Sequence, residues 1–236
     1  MKRASLLLFL TSLLLAQSPQ EVEITAEPNH HLVFQNEQIR VFDVQIPARA
    51  DTLMHRHRHD YAFVTIGTTD IATQPKDHPP VQVHLQDGEA RFASAPIVHV
   101  VRNLSDHTFR NIDVEYLQDE KLRAAVKSGK VHWNEARGLD ILDHGTKEIV
   151  SVDDGVRITL IELQPGGMVP QHHHDGPYLL VALSDVELQN DVKGKGAATL
   201  SLKQGETKWF PGSETHSVMN MSKHDVKFVA LEFPTI

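Results

Sequence analysis

Two stretches of this chain pair a His-x-His with a Gly-led turn and a His-x-x-x-Asn some forty residues later. The first holds His57-Arg58-His59 with Gly88, His99 and Asn103; the second holds His172-His173-His174 with Gly205, His216 and Asn220. On an extended strand, residues two apart face the same way, so His57 and His59 project together, as do His172 and His174. A third imidazole from a later strand, His99 or His216, closes a triad on one side of a divalent cation and leaves the other side open to substrate, water or dioxygen. His173 alternates to the opposite face and reads as a bystander. Tyr178 is the nearest side chain able to give a hydrogen bond or a proton to something bound there.

The spacing also implies a duplication. His57 to His172 spans 115 positions, while Gly88 to Gly205, His99 to His216 and Asn103 to Asn220 each span 117. The reading is two copies of one unit that differ by a two-residue loop, with His57 over His172. On that alignment His55 faces Pro170 and reads as an exposed residue, rather than as a fourth ligand or the sign of a shifted register. Glu115 and Glu232, and Arg40 and Arg157, recur at 117. They could supply a carboxylate ligand or hold an anionic substrate, but salt-bridged surface partners is the preferred reading.

The elements that must position these residues are strands. Gln38 to Ile46 alternates apolar and polar side chains, and Asp60 to Ile66, Val81 to Leu85, Ile97 to Val101 and Phe109 to Leu117 are further β-rich runs. The second half repeats them at Val156 to Leu163, Tyr178 to Leu183, Val186 to Gln189, Thr199 to Leu202 and Val226 to Phe233. Thr73 to Pro80 reads as a loop. Asp119 to Lys127 and Trp133 to Arg137 carry helical composition and fall between the copies. Many short strands with regular turns predict an all-β chain of sandwiches or barrels.

Composition narrows the function. The chain has 236 residues, no cysteine, sixteen histidines and a formal net charge of -8. Thiolate ligands, disulfides and Cys nucleophiles are excluded, and no basic stripe is present to bind nucleic acid. Lys2 and Arg3 precede the apolar run Leu6 to Leu15, with Ala16 as a small residue for cleavage. Residues 1–16 therefore read as a signal peptide of an exported (periplasmic or secreted) protein without stable membrane insertion; an uncleaved anchor is the alternative.

The repeated residues resemble the cupin superfamily, whose motifs are G-x5-H-x-H-x3,4-E-x6-G and G-x5-P-x-G-x2-H-x3-N. The second copy follows them at Gly166, His172, His174, Gly205, Pro211, His216 and Asn220. The first follows at His57, His59, Gly88, His99 and Asn103, with Asp51, Ser94 and Pro96 where the family prefers Gly, Pro and Gly. The resemblance implies a bicupin: two tandem cupin-type β-barrels (double-stranded β-helix) over 24–117 and 146–236, joined by a short helical linker over 118–145. Each barrel would carry a metal in its mouth. The cupin glutamate is absent, because Phe63 and Val64, or Tyr178 and Leu179, stand at its places.

What remains is three neutral imidazoles, which resemble the three-His cupins, usually ferrous; Mn, Ni, Cu and Zn also suit imidazole. That implies dioxygenase chemistry on a small chelating organic acid, enol or phenol. A metal-dependent isomerase or lyase, or a binding protein without turnover, is the alternative. A small-molecule substrate and a second copy of the chain are the expected partners. The second barrel, with its permissive Pro165-Gly166-Gly167 and Pro211-Gly212, is expected to be the working one.

Overall fold

The computed structural model describes residues 21–131, 137–153 and 155–235. The leader reading of residues 1–16 lies outside these residues, as does the helical reading of Trp133 to Arg137 in all but Arg137. No helix among the described residues is long and apolar enough to cross a membrane.

The described residues form an all-β fold with one linking helix, Asp119–Lys127, their strands lying in four sheets that make two barrels. In the first barrel, one sheet orders Val22–Glu23, His55–His57, Ile97–Asn103, Thr69–Pro75 and Val81–Leu85. The facing sheet orders His30–Gln35, Ile39–Ile46, Phe109–Tyr116, Tyr61–Ile66 and Ala90–Ala93. The second barrel repeats both orders with Met168–His174, Glu214–Asn220, Val186–Val192 and Gly196–Leu202, and with Gly145–Asp153, Val156–Leu163, Val226–Glu232, Tyr178–Ala182 and Thr207–Phe210. Gly138–Leu142 adds an edge strand to the latter sheet.

The repeat contains no gap. Ile39–Ile46 maps onto Val156–Leu163, Thr69–Pro75 onto Val186–Val192 and Ile97–Asn103 onto Glu214–Asn220, every residue 117 positions on. The two-residue slip expected between the copies is therefore a misreading, and His55, not His57, is the counterpart of His172. The run from Thr73 is likewise strand through Pro75, paired with Val101, Val100 and His99, rather than loop.

Alternation decides which face each side chain takes. Along Ile39–Ile46, Phe42, Val44 and Ile46 fill the first barrel, while Ile39 and Val41 point out of it. These outward residues meet Val156, Ile158, Leu179, Val181, Val229 and Leu231 of the second barrel, so two sheets pack back to back in one shared core. Burial on both faces is why Tyr178–Ala182 is an unbroken buried run instead of an alternating one. The helix Asp119–Lys127 lays Leu122 onto that core, with Asp119 and Glu120 at its start and Lys127 at its end, as the helix dipole favours.

The matched glycines belong to this junction. Gly205 has φ +84, and a Cβ there would stand 2.1 Å from the Arg110 guanidinium of the other barrel, which donates to Gln204 O at 3.0 Å. Gly88 meets Lys227 in the same way, and Lys227 Nζ donates to Asp87 O at 3.0 Å. The matched asparagines pin turns: Asn103 Nδ2 donates to Ile46 O at 3.0 Å, and Asn220 Nδ2 to Leu163 O at 3.0 Å.

Candidate metal centre

In the second barrel His172 and His174 share the inward face of Met168–His174, and His216 stands directly opposite His172 on the antiparallel strand Glu214–Asn220. Their Nε2 atoms form a nearly equilateral triangle. His172 to His174 is 3.0 Å, His174 to His216 is 3.0 Å and His216 to His172 is 3.1 Å.

Each Nδ1 is already committed. His172 Nδ1 donates to Pro170 O at 2.8 Å, His216 Nδ1 donates to Asn190 Oδ1 at 2.6 Å, and His174 Nδ1 donates to Glu232 Oε1. Carbonyl and carboxylate acceptors hold the proton on Nδ1, so three Nε2 lone pairs point at one another. Three lone pairs at that separation repel unless a cation sits among them. A cation ~2.0–2.1 Å from each nitrogen would see them about 95° apart, nearer an octahedral face than a tetrahedron. The donor set fits a divalent metal with one side open.

Behind the triad lies a buried ion pair. Glu232, 5% exposed, takes Arg157 Nε on Oε2 at 2.5 Å and His174 on its other oxygen. Burial disfavours its charge, but the hydrogen bonds from His174 and Arg157 and the positive charge of Arg157 outweigh that and hold the carboxyl at about 2. Burial, then the neighbouring His172 and His174, pushes His216 down to about 3. Tyr178 stacks on His174, ring centroids 4.1 Å apart, and its hydroxyl donates to Glu214 Oε1 at 2.7 Å. Burial first, then Glu214, raises that hydroxyl's pKa. His173 turns away to Thr215 and Asp175.

The first barrel repeats the arrangement with a shifted set. His55 pairs with His99 across the antiparallel strands, and the rings of His55, His57 and His99 stand 4.5–5.2 Å apart, against 4.5–5.0 Å in the second barrel. His59, expected as a ligand, does not join them. Its Nδ1 lies 3.6 Å from Asp119 Oδ1, because His59 falls beyond His57, where the strand that presents the other two ends. His55, expected to be exposed, is fully buried.

The supporting groups also match at 117. His55 Nδ1 donates to Leu53 O at 2.9 Å, His57 Nδ1 lies 3.5 Å from Glu115 Oε1, and His99 Nδ1 lies 3.3 Å from Thr73 Oγ1. Glu115 sits 3.4 Å from Arg40. Glu115 and Glu232 are thus salt-bridged as expected, but inside the barrels rather than on the surface. The Nε2 atoms of His55, His57 and His99 are all buried without a hydrogen-bond partner. An orphaned buried polar atom costs about 1–3 kcal/mol, so three in one place fit a bound cation.

One further histidine occurs only here. His30, which the duplication could not reveal because Lys147 is its counterpart, places a ligand atom within 4.8 Å of those of His55 and His57. Its Nδ1 lies 2.5 Å from Glu27 Oε2 and its Nε2 3.7 Å from Asp113 Oδ2.

Burial sets the acid response of His55, His57 and His99, as it does of His216. It lowers His55 to about 3, with His30 and His57 adding; it lowers His57 to about 3, with His30 adding; and it drives His99 well down. Between the ordinary histidine range and about 3, the unfolded chain takes up protons that the folded chain refuses. Metal-free protein should therefore lose stability steadily as pH falls from about 6.5 towards 3. Urea denaturation in EDTA across that range checks it, and a flat profile would show the imidazoles protonated while folded.

No family model and no curated protein matches this sequence. Solved structures do. A point mutant of Bacillus subtilis oxalate decarboxylase aligns at TM-score 0.62 with 12% identity over 84% of this chain and 70% of that one. Lactobacillus farciminis oxalate decarboxylase in a formate complex aligns at 0.61 with 13% identity over 85% and 78%. A Bacillus subtilis oxalate decarboxylase studied for its Mn(II) centres gives 0.61 and 12% over 84% and 70%. At these identities the likeness is one of fold: the chain has the two-barrel cupin architecture.

Proposed function

We propose that this chain is a metal-dependent cupin that binds a divalent cation through His172, His174 and His216, and a second through His55, His57 and His99. The observation that carries this is the second triad, with three Nε2 atoms 3.0–3.1 Å apart and every Nδ1 tied to an acceptor.

Glu232 is held behind His174 by Arg157, so the ligand set is imidazole alone and a bound cation would keep its full charge. Such a centre favours a small anionic chelate: an organic acid, enol or phenol. Held by these imidazoles, a metal would supply a Lewis acid and a template for substrate and dioxygen. The protein's part is to exclude bulk water and fix the ligands. The cavity of about 200 Å³ beside the triad is walled by Val169, Leu180, Leu188, Phe210 and Val218. Tyr178 is tied to Glu214 and orients His174 by stacking, so its service in this reading is positioning.

Dioxygenase chemistry with ferrous iron is the reading this ligand set favours. A metal-assisted lyase is the second reading, supported by the fold shared with oxalate decarboxylases. Protein loaded with Fe(II) or Mn(II) is to be offered oxalate, catechol, gentisate and acetylacetone while dissolved oxygen is recorded. Oxygen uptake in step with substrate loss is expected. Carbon dioxide release with no net oxygen uptake would replace the first reading with the second. A fully loaded protein inert to all four leaves only binding.

A further inference from the structure

The two cavities share a triad and its supporting groups but differ in the charges that face the ligand. In the second, Lys147 lines the cavity, and its carboxylate partner, the exposed Asp140, is 3.7 Å away. Arg157 lines it too, already paired with Glu232. In the first, of about 230 Å³, His30 stands in place of Lys147 and Asp113 in place of Ala230. Asp113 is 4% exposed; its Oδ1 accepts from Asn111, and among the described residues its Oδ2 has only the His30 ring at 3.7 Å. The one arginine or lysine among the described residues on that cavity's wall, Arg91, is turned to Glu89 at 2.7 Å.

We propose that the duplicated cavities take different ligands: the C-terminal one a small dianionic carboxylate, the N-terminal one a chelating phenol or enol that gives a hydrogen bond to Asp113. This rests on the metal reading above. A dianion at the second triad meets a divalent metal and the Lys147 ammonium. The same dianion at the first would bring its charge against a buried carboxylate in a low-dielectric cavity, where like charges repel strongly. A catechol bound as its monoanion keeps one O–H, and Asp113 offers it an acceptor that Ala230 cannot.

The test is calorimetric titration of the Mn(II)-loaded full chain above pH 7, with oxalate and with catechol as probes. Metal content is measured first. Oxalate should fill one site per chain, retained in H99A and lost in H216A, and K147M should weaken it about tenfold. D113N, which keeps the shape and removes the charge, should open a second oxalate site. Catechol should bind the H216A chain and lose about tenfold in D113A. Equal oxalate binding in both barrels of the unaltered chain, or a metal-loaded D113N still closed to oxalate, overturns the inference. Metal content unchanged by both H99A and H216A overturns the metal reading instead, and the inference falls with it.

Discussion

His216→Ala is expected to empty the C-terminal site and leave the N-terminal one filled, His55→Ala to do the reverse, and His59→Ala to change neither. The reason is geometric. In the second triad three Nε2 atoms lie 3.0–3.1 Å apart around one point, in the first the three rings lie 4.5–5.2 Å apart, and a pair of imidazoles would retain only part of the field that holds a cation. Disturbing a mere supporting group typically costs about ten- to a hundredfold in metal affinity, and losing a ligand should exceed that. His59 has no share in the first triad, since it lies beyond the end of the strand that presents His55 and His57, with its Nδ1 3.6 Å from Asp119. Metal content after equilibrium dialysis, read beside circular dichroism to confirm folding, separates the three variants. Loss of metal in His59→Ala with retention in His55→Ala would restore the two-residue slip and remove the gapless repeat.

That slip shows where sequence reasoning ran out. The alternation of Gln38 to Ile46, the punctuated strands and the helix over Asp119 to Lys127 were legible because local pattern and tertiary burial agree there. The repeat was legible too, and its dominant offset of 117 was already visible in Gly88, His99, Asn103, Glu115 and Arg40. The first His-x-His was misplaced because three alternating histidines, His55, His57 and His59, offer two registers, and the His-His-Asp likeness of His57-Arg58-His59-Asp60 to the second copy favours the wrong one. Applying the single offset throughout puts His55 on His172 and Leu53 on Pro170, whose carbonyls play the same part. Pattern could not reveal the inward placement of Glu232 and Arg157, because a charged residue on a strand gives no sign of whether its face is barrel or solvent. His30 and Asp113 left no signal at all, being the places where the two copies have diverged.

The second large effect is expected at Glu232. Glu232→Ala should cost about 3–5 kcal/mol of stability and, in the variant that still folds, lower metal affinity at the second barrel by about ten- to a hundredfold. Removing the carboxylate takes away the acceptor of Arg157 Nε and frees the His174 ring to rotate or to carry its proton on Nε2, where it would block the metal. Glu232→Gln separates these consequences. Its carbonyl can still accept from His174 and keep the ring oriented, while the carboxylate charge beside Arg157 is gone, so stability should fall more than metal affinity. The matching Glu115→Gln is expected to be milder, because its contacts to Arg40 and His57 are 3.4 and 3.5 Å, where Glu232 is bonded at full hydrogen-bond strength on both oxygens. Urea unfolding and metal titration on the unaltered chain and these three variants decide the matter. Equal losses from Glu115→Gln and Glu232→Gln would mean that the tighter geometry of the second barrel carries no energetic advantage, and that the two centres bind metal as equals.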